Sequence, residues 1–201
     1  MSERMKEREA QRNLRKYFMV FQDAWQDFLK ALEKGEFNVP SKEEGLRCLL
    51  FAKCLEIMRQ KKFEKPYEIL VEDKETSTET RADITLGRWL ETGRLVAIEL
   101  KDSRPVKEIK ADIRKLQGFV KNEAAASGFF AMIGNSKYEY RTYLNLKDLG
   151  VQQEISETDE AMICFPRKEV KEGKESFYQW KKVKSPYHER PLETLIVGIL
   201  C

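Results

Sequence analysis

Residues 80–101 read TRADITLGRWLETGRLVAIELK, and the rest of the chain is organised around this stretch. It reads as two strands joined by a turn. The first is expected over residues 82–86, with Asp83 near its start. The turn falls around Glu91-Thr92-Gly93, where glycine accepts a positive φ without steric cost. The second is expected over residues 94–100 and is apolar through Leu95-Val96-Ala97-Ile98, as in a strand covered on both faces in the middle of a sheet. It closes in Glu99-Leu100-Lys101. Charge at the end of such a strand needs a reason, because buried charge is costly unless it is paired or bound to a metal.

Alternation along a strand puts side chains i and i+2 on one face, so Glu99 and Lys101 project together. If the two strands pair antiparallel, Asp83 can lie beside Glu99. Two converging carboxylates repel each other, and a divalent cation removes that conflict. Hard oxygen ligands completed by water suit Mg²⁺. The ammonium of Lys101 would then hold a water or stabilise a developing negative oxygen.

This Asp…Glu-x-Lys arrangement resembles the PD-(D/E)XK nuclease superfamily, the restriction-endonuclease-like fold. Asp83 matches the motif aspartate, Glu99 the second acid and Lys101 the lysine; Ala82 stands where the family usually has proline. The resemblance covers roughly residues 41–134. Glu-x-Lys is a cheap pattern in this chain, occurring at Glu72, Glu99, Glu108, Glu169 and Glu172, but only Glu99 closes a long apolar strand after an Asp-bearing one. The alternative is a surface ion pair at a strand end.

The resemblance implies an α/β fold: a restriction-endonuclease-like mixed central sheet flanked by helices, here with an N-terminal helical extension and a C-terminal β-hairpin. It implies a Mg²⁺-dependent deoxyribonuclease, with Mn²⁺ a possible substitute. Asp83, Glu99 and the Leu100 carbonyl would hold the metal, and Lys101 would orient the attacking water. The first core helix of that superfamily often brings a glutamate to the metal; Glu43 is the candidate, with Glu44 as the alternative. The competing readings are a non-catalytic nucleic-acid-binding module on the same fold and a dimerising interaction protein.

The chain has 201 residues, 41% of them hydrophobic, enough for one domain with a real core. Its net charge is +3, so an argument for nucleic acid must rest on local clustering. Cys48, Cys54, Cys164 and Cys201 form no zinc spacing; Cys48 and Cys54 are expected to be core thiols. With no signal peptide and no apolar run of membrane-spanning length, the expectation is a reduced, cytoplasmic protein with no membrane association. No P-loop, dinucleotide fingerprint or Ser-His-Asp set is present; His188 is the single histidine and is expected at the surface.

Residues 1–34 lack proline and glycine and read as one helix ending at Gly35. Leu14, Phe18, Phe21, Trp25, Phe28 and Leu32 recur at steps of four and three, a seam that either packs on the chain's own body or pairs with a second copy. Residues 1–35 are therefore separated from a domain over residues 36–201. This seam and the apolar stretch 192–201 motivate the expectation of a homodimer.

Ser41 and Glu44 form a capping box for a helix running to about Gln60, buried along Leu46, Leu49, Leu50, Cys54 and Ile57. A strand is expected over 67–72 and a loop over 73–80. Pro105 opens the next helix, buried along Ile109, Ile113, Leu116 and Val120. Lys107, Lys110, Arg114, Gln117 and Lys121 share another stripe of that helix. In the resembled fold this helix lies beside the active site, where basic side chains could meet DNA phosphates; a solvated face is the alternative. Residues 128–133 read as a strand, 138–149 as a helix and 161–165 as a further strand. Residues 167–184 read as a charged β-ribbon with Phe177, Tyr178 and Trp180, either an edge hairpin or a stacking surface for nucleic acid.

Overall fold

The structure is a computed structural model, and it describes residues 3–40, 42–63, 69–74, 81–89, 93–102, 105–122, 125–135, 140–151, 153–155 and 176–200. Two helices, α1 (Glu3–Lys34) and α2 (Glu43–Gln60), precede three strands: β1 (Ile69–Lys74), β2 (Arg81–Trp89) and β3 (Gly93–Asp102). Then come α3 (Val106–Lys121), β4 (Ala125–Asn135), the single turn α4 (Tyr140–Tyr143), β5 (Gln153–Glu154), β6 (Ser176–Val183) and β7 (Leu192–Leu200). The expected succession of helix, three strands, helix and strand is present, as is the mixed sheet flanked by helices.

Among the described residues the sheet has seven strands in the order β1-β2-β3-β4-β7-β6-β5, the last of only two residues. β1, β2 and β3 pair antiparallel. β3 and β4 are parallel, with α3 as the connection, and β7 runs antiparallel to both β4 and β6. A parallel pair needs such a crossover and buries both faces. Leu95 to Leu100 are accordingly all buried. The even positions Val96, Ile98 and Leu100 pack under α1 and α2, while Ala97 packs under α3.

α1 is part of this core rather than an appendage. Leu14, Phe18, Phe21, Trp25, Phe28 and Leu32 are buried, and the Phe18 ring stands 4.2 Å from that of Phe129 in β4. Gly87 in β2 has φ +67°, and a Cβ there would come within 2.9 Å of the Tyr17 ring, so its lack of a side chain lets α1 lie close on the sheet. β7 is likewise buried from Leu192 to Ile199. The seam and the C-terminal stretch are therefore both used inside one chain, and neither still motivates a second copy.

Several local expectations are corrected. α2 takes Lys42 as its N-cap with no side-chain cap hydrogen bond, so Glu44 is not half of a formed capping box; Ser41 lies outside the described residues. Cys48 is exposed, whereas Cys54 is buried and burial alone pushes its thiol up to about 12. β1 runs two residues further than expected and leaves Leu70 and Val71 exposed at the sheet edge. Residues 140–149 form one α-turn and a 3₁₀ turn (Lys147–Leu149) rather than a continuous helix. Phe177, Tyr178 and Trp180 are buried in β6, which lies inside the sheet, so they offer no stacking surface. The strand expected over 161–165, the ribbon turn at 171–174 and the turn residues Glu91 and Thr92 lie outside the described residues. His188 is hydrogen-bonded to Asn38 Oδ1 at 2.9 Å. Among the described residues, no helix is long and apolar enough to cross a membrane.

Candidate active site

The β2–β3 ladder runs from Trp89↔Gly93 to Ile84↔Ile98. One step further in that register Asp83 stands opposite Glu99. Glu99 is 3% exposed, on the face of β3 that packs under α3. Its Oε2 accepts a hydrogen bond from Lys115 Nζ of α3 at 2.8 Å, and its Oε1 is buried with no hydrogen-bond partner. Burial pushes the Glu99 carboxyl up to about 8, opposed by the Lys115 ammonium and reinforced by the charge of Asp83.

Asp83 is held on both oxygens. Oδ2 accepts the backbone N–H of Leu100 at 2.7 Å, and Oδ1 lies 3.4 Å from Arg47 Nη1 of α2. Burial raises the Asp83 carboxyl; the Leu100 N–H and the charges of Lys115, Arg47 and Lys101 oppose that rise without cancelling it.

Lys101 follows Glu99 on the same face, but it turns to other partners. Its Nζ stands 2.9 Å from Asp112 Oδ2 of α3 and 3.3 Å from Glu43 Oε2 of α2. Both contacts are close ion pairs between an ammonium and a half-buried carboxylate. Burial lowers the Lys101 ammonium, and the Asp112 and Glu43 carboxylates more than reverse that. Glu43 itself is raised by burial, with Lys101 opposing and Asp83 adding to the rise.

Four sequence-derived candidates, Asp83, Glu99, Lys101 and Glu43, thus belong to one charged network at the end of β3. Asp112, Lys115 and Arg47 join them and escaped the sequence reading. The signal for Arg47 was its spacing four residues after Glu43, on the same face of α2. The signal for Asp112 and Lys115 was a second i, i+3 pair flanking the buried stripe of α3. The network holds four carboxylates (Glu43, Asp83, Glu99, Asp112) and three cations (Arg47, Lys101, Lys115), a net charge of −1 when all are ionised.

The basic stripe of α3 lies elsewhere. At about 100° per residue, Asp112 and Lys115 fall on one side of the buried stripe, and Lys107, Lys110, Arg114, Gln117 and Lys121 fall on the other. Gln117 is spent on the fold, donating from Nε2 to the Leu149 carbonyl at 2.6 Å. Lys107, Arg114 and Lys121 are exposed and Lys110 is half-buried.

A divalent cation can be tested against this donor set. The buried Glu99 Oε1, without a hydrogen-bond partner and next to Asp83, is the kind of oxygen a hard cation takes. Among the described residues no three of His, Cys, Asp and Glu converge to hold an ion by themselves. Asp83 and Glu99 are the side chains that would hold such an ion, with water completing the shell; the Leu100 carbonyl stays an expectation of the resemblance. No family model, curated protein or solved structure matches the chain.

Proposed function

We propose that the chain is a metal-dependent nuclease that hydrolyses phosphodiester bonds of DNA, on a restriction-endonuclease-like version of the mixed sheet. The observation that carries this reading is Glu99. A glutamate buried near the end of an interior strand, with one oxygen unpartnered and Asp83 adjacent, is expensive to keep unless it serves chemistry. Mg²⁺, or Mn²⁺ in its place, would supply positive charge against the charge that develops on the phosphate.

The chain's own residues divide the remaining work. Asp83 and Glu99 bind the cation, and the Leu100 N–H and Arg47 fix the angle at which Asp83 presents its oxygens. Lys101 orients the attacking water, and its pairing with Asp112 and Glu43 keeps it charged. Glu43 reaches the site from the first turn of α2 through Lys101. Lys107, Lys110, Arg114 and Lys121 contact DNA phosphates away from the scissile bond, because the helix diameter of roughly 10 Å separates them from Glu99.

A second reading is favoured by one observation: Lys101 and Lys115 already contact three of the four carboxylates. A cluster so well paired also suits a non-catalytic nucleic-acid-binding module. Incubation with linear, nicked, branched and single-stranded DNA, with and without Mg²⁺, separates the two. The nuclease reading requires cleavage that stops when the metal is chelated.

A further inference from the structure

We propose that Lys115 is the built-in counter-ion of Glu99, occupying the cation's place and moving aside when a divalent ion binds. The inference rests on the nuclease reading above. It assigns this lysine a role separate from that of Lys101, which lies two residues from Glu99 along the same strand yet is engaged with Asp112 and Glu43.

Three observations carry it. Lys115 Nζ sits 2.8 Å from Glu99 Oε2, in the direct contact that an ion bound by Glu99 would contest. The two partners differ in freedom: the Lys115 side chain is 28% exposed and that of Glu99 is 4% exposed, so only the lysine has a way out to water. In that same position its Nζ stands 6.0 Å from the centroid of the Phe119 ring one turn along α3, an attraction that does not depend on Glu99. A cation over an aromatic face at this distance is attracted to it. Lysine is suited to the role, being a compact charge on a flexible stem.

The consequence is competition. A charge-assisted hydrogen bond must be given up before the ion gains Glu99, so the wild-type protein binds the ion less tightly than the bare carboxylates would. Lys115 is a positioning residue: it acts through Glu99 and limits loading of the site.

The test is calorimetric titration of Mn²⁺ into the full chain and its Lys115→Met and Lys115→Arg variants, with thermal unfolding of each measured with and without Mn²⁺. Lys115→Met is expected to bind Mn²⁺ about tenfold more tightly than wild type, the equivalent of one charge-assisted bond released. Its unfolding temperature should also rise more on adding Mn²⁺. Lys115→Arg, which restores the counter-ion, should return both readouts toward wild type. Lys115→Gln replaces the Met variant if that protein does not fold. Equal affinity in wild type and the neutral variant overturns the displacement and leaves the metal site standing. Weaker binding in the neutral variant also overturns it. Absence of Mn²⁺ binding in every protein overturns the metal reading and the displacement together.

Discussion

Lys115 Nζ donates to Glu99 Oε2 at 2.8 Å, across the gap between α3 and the last turn of buried strand in β3. The other carboxylate oxygen, Oε1, is sealed from solvent without a partner. Half of this carboxylate is therefore satisfied and half is not. The pairing with one ammonium does not offset burial, since the carboxyl remains pushed up to about 8.

That asymmetry fixes a pH dependence. Folded Glu99 keeps its proton to about 8, against an ordinary value of 4.5. Between those values the folded state binds more protons than the unfolded one. Its contribution to stability is fully present below 4.5 and is lost as pH rises through about 8. The loss is on the order of 3–5 kcal/mol for a shift of this size. Glu43 and Asp83, also raised, act in the same direction. Urea unfolding without divalent ions should show wild type weakening from pH 5 to pH 9 and Glu99→Gln weakening less, only by the part that Glu43 and Asp83 leave. Identical profiles would mean that Glu99 does not carry the effect.

Lys101 and Asp83 should separate under mutation. Lys101→Ala removes the cation between Asp112 and Glu43, and is expected to cost about 1–2 kcal/mol of stability. Metal binding should survive and the cleavage rate should fall on the order of 10²–10³. Asp83→Ala should lose metal affinity along with activity. Calorimetry beside single-turnover cleavage reads both effects; a Lys101→Ala protein that cuts at the wild-type rate removes the lysine from the mechanism.

The place of α1 in the core is tested by Phe18→Ala. This ring is fully buried between Phe129 at 4.2 Å and Phe177 at 6.1 Å. Its truncation should destabilise the protein by about 3–5 kcal/mol in chemical unfolding. A cost below about 1 kcal/mol would indicate that α1 is peripheral after all.

What could be read from the chain depended on period and spacing. The four-three repeat of α1 and the unbroken apolar run 95–98 each identified an element, because each demands one kind of burial. The Asp83, Glu99 and Lys101 positions were legible through strand alternation, which fixes sides without knowledge of the partner. Arg47, Asp112 and Lys115 were not, because they reach the site by how helices lie across a sheet, and no local pattern encodes that crossing. The same limit explains the Lys101 partners: alternation puts its side chain beside Glu99, but the packed helices offer it Asp112 and Glu43 instead. The stretch 167–184 read as an edge hairpin or a stacking surface because its lysines suggested solvent; its described part, 176–183, is β6, second from the sheet edge and beside the two-residue β5. In the fold, Lys181 is half-buried and its Nζ lies 3.7 Å from Glu33 Oε1 of α1, while the neighbouring aromatics fill the core.

In the proposed function the Asp83–Glu99 pair loads a divalent cation to cut DNA. The most direct measurement is cleavage of linear duplex, branched and single-stranded DNA by the wild-type chain, Asp83→Asn and Glu99→Gln, over a Mg²⁺ titration. Mg²⁺-dependent products are expected from wild type on at least one substrate, with a loss on the order of 10²-fold or more in both variants. Products that form equally in the two variants, or wild-type protein that leaves every substrate intact at saturating Mg²⁺ and Mn²⁺, would contradict it.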